Sequence, residues 1–351
     1  MPRLKGYSHF VNENRIYIVF VCVFSLASLL APKFFNAFNL VNILSTTVLY
    51  GIVSIGFTIA LICGHLDLSV LAVINLAGVI TITVGNATGN WVLAIAAATL
   101  AGALVGVING LLVTKAKINS FIATLGTLTT FQGGVYYITN GATVSTGDYT
   151  ASDWMSATAI PIVPNAAVVA ILLVLGAHLF MRRTFIGRGF YLVGSNIDTA
   201  WLAGLKINRY LVTAFVGSGA TSALGSAFFA CSLAAAMANL GEKGINPLMI
   251  VIAAVVLGGT QLSGGKGSIL KSYFGVLSLT VLFNALTCFR LGYELQIFIC
   301  GIILMVVVFV EVVSMYQGER LRGIRAVLRD EARRLKLMHT REGQGKGRIV
   351  A

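Results

Sequence analysis

Apolar and polar positions along this chain separate into long blocks. Runs of about twenty residues, the length that spans a bilayer as a helix, are divided by short breaks holding Asn, Pro, charged residues or paired glycines. Ten such runs stand out, at 16–31, 43–63, 70–85, 91–113, 120–138, 165–181, 210–235, 247–262, 268–286 and 295–315. They are too long and too uniformly apolar for the alternating strands of a barrel. Helices, which satisfy their own backbone, are the predicted elements. Two interruptions mark the pattern. From Ile252 the apolar sequence stops at Gly258-Gly259, turns through Thr260, Gln261, Ser263 and Lys266, and resumes at Ile269. The other is Cys63-Gly64-His65-Leu66-Asp67-Leu68-Ser69. Irregular backbone at membrane depth persists only where protein or a water-filled cavity satisfies it, so both interruptions predict the interior of a transport pathway.

Composition excludes an ordinary soluble domain. The 351 residues are 57% hydrophobic and 11% charged, against about 25% charged in globular proteins. The expectation is therefore an all-α integral membrane protein of about ten transmembrane helices with two interrupted segments. Residues 1–15 form an N-terminal tail, 16–315 the transmembrane domain and 316–351 a basic tail. The first run, although it follows a basic start, reads as an uncleaved span, because no small-x-small cleavage site follows it.

The formal charge of +13 changes the picture only through its placement. With both termini in the cytoplasm, the N-tail, the 114–119 and 182–209 loops and the C-tail hold 20 of the 25 Lys and Arg residues. That is the positive-inside arrangement, and no nucleic-acid partner is needed to explain it. Leu321, Ile324, Leu328, Ala332 and Leu335 recur at helical spacing among arginines, which predicts an amphipathic helix on the anionic inner leaflet. The glycine-rich end after Arg341 reads as disordered. The 139–164 loop has Asp148, Asp153 and Trp154 but no Lys or Arg. It reads as external and, with 236–246, as a surface for an external partner. The five cysteines lack metal-ligand spacing and read as small packing residues.

Candidate chemistry is sparse. Asp67 is the only carboxylate between Glu13 and Asp148. It or Ser69 caps the helix that follows; contact with cargo and a gating role are the alternatives. His65 reads as a hydrogen-bonding filler. Asn75, Asn109, Thr124, Thr127, Gln132, Asn284 and Gln296 either bridge helices or line a path, and a neutral lining suits an uncharged, polyhydroxylated cargo. The candidate path or gate comprises Asp67, Ser69, Gln132, Gly258, Gly259, Thr260 and Gln261. Small residues recurring at three- and four-residue spacing (among Thr99, Gly102, Ala103, Gly106 and Gly110, and among Gly217, Gly219, Ala220, Gly225 and Ala227) predict close helix packing. No nucleophile–base constellation or histidine cluster predicts catalysis or a metal.

Several segments carry a resemblance. They are Leu66-Asp67-Leu68-Ser69-Val70, Leu76-Ala77-Gly78-Val79, Asn109-Gly110-Leu111-Leu112-Val113, Phe121-Ile122-Ala123-Thr124-Leu125-Gly126-Thr127, Thr139-Asn140-Gly141, and Ile252 through Ser268. From about residue 36 to 312 the chain resembles the membrane subunits of ABC importers for monosaccharides, the ribose/xylose/arabinose-type permeases. The resemblance implies a multi-pass permease of the bacterial inner membrane that dimerises or pairs with a close paralogue. It also implies a cytoplasmic ABC ATPase and a periplasmic solute-binding protein as partners. Gly264-Gly265-Lys266-Gly267-Ser268 lacks phosphate-loop spacing, so ATP belongs to the partner and no cofactor is expected on this chain. In the 182–209 loop, Gly187, Arg188, Gly194, Asn196, Ala200 and Gly204 match the family's coupling segment. A short helix over 198–205 is expected to offer Ala200 and Leu202 to the ATPase and to end at Gly204. The basic C-tail is a second place for ATPase contact.

Two departures bear on cargo: Leu71 stands where the family usually has glycine, and Pro247-Leu248-Met249-Ile250 lacks the family's acid. The rival classes are an ion-coupled secondary transporter and a channel. A nucleoside or furanosyl signalling molecule is an alternative cargo.

Overall fold

The computed structural model describes residues 2–240, 246–292, 294–306, 308, 309 and 313, with side chains from Asn14 onward. In chain order the helices are α1 (Pro2–Leu30), α2 (Ala37–Ile62), α3 (Val70–Thr88), α4 (Trp91–Thr114), α5 (Ser120–Thr139), α6 (Thr150–Ser156) and α7 (Asn165–Arg183). They continue as α8 (Phe185–Ser195), α9 (Ile197–Leu202), α10 (Ile207–Leu233), α11 (Pro247–Leu257) and α12 (Ile269–Cys288), then α13 (Glu294–Val306). A two-stranded antiparallel ribbon pairs β1 (Val144–Ser145) with β2 (Ala235–Ala236). The bundle belongs to the unit Met1–Leu304; Met305–Ala351 form a second.

All ten apolar runs are helical over most of their length. Six helices (α2, α3, α4, α7, α10 and α12) are long and apolar enough to cross a membrane. Asn14–Leu30, α11 and α13 are apolar but shorter. This is an all-α, multi-pass membrane protein. α1 begins at Pro2, so the expected tail is helical. The predicted basic helix at 321–335, the tail after Arg341 and residues 241–245 of the predicted outer surface lie outside the described residues.

Boundaries follow local chemistry. Asn36, Asn90, Asn119, Asn196 and Asn246 each accept a backbone N–H at the start of α2, α4, α5, α9 and α11, as N-cap side chains do. Pro247 opens α11, where its missing N–H leaves nothing unsatisfied. Gly89 ends α3 with φ +64°.

One interruption differs from its reading. α2 and α3 have 26 and 19 residues and each is long and apolar enough to cross a membrane, so 63–69 is a turn between two full-length helices. The other follows a short helix, since α11 has 11 residues and covers about 16 Å.

Packing interlocks two four-helix runs, α2–α5 and α10–α13. α10 packs along α4 and α3 of the first run, while α2 packs on α12 and α11 of the second. α2 and α10 also pack on each other at the centre. The predicted glycines make this possible. A Cβ on Gly219 would overlap Gly102 O and sit 3.2 Å from Gly106 N; one on Gly106 would sit 2.7 Å from Val216 Cα. Backbones this close exchange Cα–H···O contacts worth about 0.5–1 kcal/mol each. Gly219→Val is therefore expected to destabilise the detergent-solubilised chain by about 3 kcal/mol or more. Gly217→Val, two residues away with nothing within 4 Å of its Cβ position, is expected to leave the melting temperature nearly unchanged.

Candidate functional site

The two interruptions meet. Gly265 N donates to Ile62 O at 2.7 Å, joining the α11–α12 connection to the last residue of α2. Gly64, Gly264 and Gly265 have φ of +81°, +82° and +76°, a region that L side chains enter only with strain. A Cβ on Gly264 would stand 2.8 Å from Gly64 Cα and 3.0 Å from Gly194 O. One on Gly194 would overlap Ile62 O, and one on Gly265 would stand 2.7 Å from Ser195 Cα. Three backbones therefore touch without side chains between them: the end of α2, the 263–265 turn and the end of α8.

The α8 end is part of the predicted coupling segment, so the sequence-predicted coupling and path regions adjoin. Tyr191 Oη donates to Gly267 O at 3.2 Å. Phe190 and Tyr210 stack edge to face at 5.2 Å between centroids, tying α8 to α10.

The coupling residues serve distinct local roles. Gly187 N donates to the Thr184 hydroxyl that caps α8, and a Cβ on Gly187 would stand 2.5 Å from Met181 Cα. Asn196 caps α9 through Thr199 N at 2.8 Å. Gly204 follows α9 with φ +76°, ending the helix where expected. Arg188 is exposed. Ala200 departs from its reading: it is 0% exposed, packed with Ile62, Phe190 and Val193. α9 instead presents Trp201 (68% exposed) and Leu202 (78%) with Ile197. Sequence reading found Leu202 but missed Trp201 and Ile197; the cue was a tryptophan in a short capped helix between basic loops. Beside α9, a cleft of about 910 Å³ is lined by Leu111, Lys115, Trp201, Lys206, Arg209 and Val212, among others.

The candidate path residues do not surround one cavity. Asp67 and Ser69 are buried. Ser69 Oγ and N donate to Asp67 Oδ1 at 2.5 and 3.1 Å. Asn109 Nδ2 donates to Ser69 Oγ at 2.8 Å, and Thr127 Oγ1 to Asn109 Oδ1 at 2.8 Å. This relay links the 63–69 turn with α4 and α5. Ser69 is the residue before α3, yet its side chain makes no cap bond; Asp67 closes the turn instead.

Gln132 accepts from Asn75 Nδ2 and donates to Ala238 O, both at 2.7 Å. Thr260 is buried, 3.3 Å from Ser272 Oγ, which also accepts from Thr58. Gly258 packs on the Lys271 carbonyl, 2.7 Å from its Cβ position, and Gly259 has φ +86°. Gln261 N donates to Lys266 O at 3.0 Å, which closes the 261–266 turn.

On the opposite face, Trp91 Nε1 donates to Asp148 Oδ2 at 2.9 Å, and Asp148 Oδ1 accepts from Thr150 N and Oγ1. Asn86 Nδ2 donates to Ser145 O. The Thr150 amide first, then the Trp91 indole and the Thr150 hydroxyl, hold the Asp148 carboxyl below its ordinary range.

The chain matches the family described as branched-chain amino acid transport system / permease component over residues 39–309. It is 31% identical over 310 residues to the ribose import permease protein RbsC of Haemophilus influenzae, covering 86% of this chain and 94% of that one. The Bacillus subtilis RbsC is 32% identical over 82% of this chain and 88% of its own. An L-arabinose ABC transporter permease, AraH of Azospirillum brasilense, is 31% identical over 86% and 88%. No solved structure matches the chain significantly. The chain belongs to this permease family, whose members are transporter membrane subunits and not enzymes.

Two outcomes are expected from this geometry. Gly194→Ala, whose methyl would overlap the Ile62 carbonyl, should part α8 from the end of α2, lowering the melting temperature of the solubilised chain as Gly219→Val does and lowering uptake at least tenfold in a transport assay. A group with a depressed pKa contributes above its ordinary pKa and loses that contribution as pH falls through the depressed value. The Trp91–Asp148 clamp should therefore persist through pH 5 and release only below about 3.9, the ordinary aspartate value, as read by Trp91 fluorescence against Asp148→Ala.

Proposed function

We propose that this chain forms the translocation path of an ATP-driven importer for a small neutral polyhydroxylated solute, a monosaccharide, in the bacterial inner membrane. α5 carries this reading. It is a 20-residue helix that does not reach the hydropathy of a lipid-facing span, and it leaves Gly126, Thr129, Thr130 and Gly133 exposed on one face. Neither glycine has an atom within 4 Å of its Cβ position. Ile122 and Tyr137 are exposed on the same face, so it is the glycine and threonine strip between them that needs protein or water opposite it. We assign it to a path shared with a second permease subunit, the same chain or a close paralogue. The neutral threonines, with no charged residue on α5, suit hydroxyl-rich cargo over an ion. Ribose and arabinose appear in the names of the relatives and support that cargo class.

In this proposal all ten helical runs serve as membrane passes, with both termini in the cytoplasm. The cytoplasmic ABC ATPase hydrolyses ATP and grips α9 through Ile197, Trp201 and Leu202. Motion of α8 passes to the 63–69 and 258–268 segments through Gly194, Gly64, Gly264 and Gly265. The Asp67–Ser69–Asn109–Thr127 relay extends that motion to α5, so Asp67 and Ser69 act as gate residues that set helix position. Gln132 holds α5 to α3, and Thr260 with Gln261 shapes the inner turn. A periplasmic solute-binding protein delivers cargo at the opposite face, where β1, β2 and the Trp91–Asp148 clamp order the surface.

Cysteine crosslinking tests this reading. With the five native cysteines replaced, cysteine at Thr130 or Gly133 is expected to give oxidant-dependent dimers in membranes, and cargo is expected to slow the reaction. Cysteine at Leu172 on α7 should give none. Absence of crosslinks at α5, with labelling there by a lipid-soluble maleimide, would remove α5 from the path.

A further inference from the structure

A second polar cavity lies away from α5. It has a volume of about 200 Å³, and its polar lining comprises Asn42, Thr46 and Tyr50 of α2, Thr280, Asn284 and Thr287 of α12, and Gln296 of α13. Phe283, Ile43 and Ile250 supply apolar wall, and no charged residue is among the described residues lining it. The volume equals that of about seven waters in the liquid, enough for one small ring. Asn42 stands five residues into α2 and Thr280 eight residues before the end of α12, about 8 and 12 Å from those helix ends. In the proposed topology both ends are periplasmic.

The wall is built and its polar groups are only partly used. Asn39 and Asn284 exchange both amide hydrogen bonds, at 2.8 and 2.9 Å, which fixes α2 against α12 beside the cavity. Thr46 and Thr287 return their hydroxyl protons to their own helices, leaving lone pairs as acceptors. Thr280 is 5% exposed, and its hydroxyl is buried with no partner. A buried hydroxyl without a partner costs about 1–3 kcal/mol, so a ligand that bonds it recovers that loss. Apolar walls with a few convergent neutral polar groups describe a small-molecule site. An aromatic ring beside amides and hydroxyls matches a solute with one C–H face and a rim of hydroxyls.

We propose that this cavity is a second binding site for an uncharged polyhydroxylated ring, an outer subsite separate from the α5 path. The inference rests on the proposed cargo class. D-Ribose and L-arabinose serve as probes against the full-length chain in nanodiscs of phosphatidylethanolamine and phosphatidylglycerol, with saturable binding read by ligand-observed NMR. At least one sugar is expected to bind saturably, and both Thr280→Val and Asn42→Ala to weaken that binding at least tenfold. Thr280→Val is nearly isosteric and removes an unpartnered hydroxyl, so a purely structural role predicts unchanged or higher thermal stability and no change in sugar binding. Variants that bind like the parent, or a parent that binds neither sugar, overturn the subsite. Uptake of the same sugars by cells carrying the intact transporter separates the two readings. Uptake without the variant effect removes the subsite and leaves the cargo class standing. Binding with the variant effect but no uptake removes the cargo class and keeps the site.

Discussion

A backbone that leaves its helix inside a bilayer has to find its hydrogen-bond partners in other protein, and in this chain much of that partner is other backbone. The end of α2, the turn before α12 and the end of α8 meet at Gly64, Gly264, Gly265 and Gly194, with Ile62 O accepting from Gly265 N. Apart from the Ser195 Cβ, 2.8 Å from the Cβ position of Gly265, the contact is backbone on backbone, so there is little compliance in it. In the proposed transporter a displacement of α8 would pass to two membrane segments, because neither could yield by changing a rotamer. The same constraint recurs between α4 and α10, where Gly102, Gly106 and Gly219 let two spans lie backbone to backbone. The close contacts make the bundle stiff, and a stiff bundle moves as bodies.

Buried polar side chains complement this frame. Asp67, Ser69, Asn109 and Thr127 connect the inner turn to α4 and α5, and Asn75 with Gln132 ties α3 to α5 farther along. Buried polar groups in a membrane protein are costly unless paired, so these relays fix helix register as well as position. They also explain why α5 holds its place although few of its side chains are buried. Its attachment is a short series of hydrogen bonds along one edge, and its opposite side exposes a strip of Gly126, Thr129, Thr130 and Gly133 beside apolar Ile122 and Leu125. In the proposed transporter that arrangement lets the path change shape while the rest of the bundle keeps its packing.

Much of this was legible in the residues. The helical runs follow from apolar length, and the α4 and α10 glycines declared close packing by their spacing. Gly258-Gly259 and Gly64 declared irregular backbone, and the 252–268 segment pointed to the family. What was not legible depended on depth and on neighbours. The 63–69 turn looked like a broken span because apolar sequence flanks it, whereas its flanking helices are both full length. Ala200 looked available to a partner because a short helix between basic loops has no periodicity to orient it; contact with Ile62 and Phe190 turns it inward and Trp201 outward. Gln132 and Thr260 looked like lining groups because a polar residue in an apolar run reads the same whether it faces water or another amide. The interlock of α2 with α11 and α12, and of α10 with α3 and α4, leaves no mark in composition.

The central claim is that the glycine junction carries movement from the cytoplasmic loop into the membrane segments. Hydrogen exchange in the assembled transporter, with and without a non-hydrolysable ATP analogue, tests it most directly at peptides covering 60–69, 185–196 and 258–268. The account predicts that the three segments change protection together, including the Gly265 amide bound to Ile62 O. A transporter that remains competent for uptake, with exchange altered in 185–196 and unchanged in 60–69 and 258–268, would contradict it.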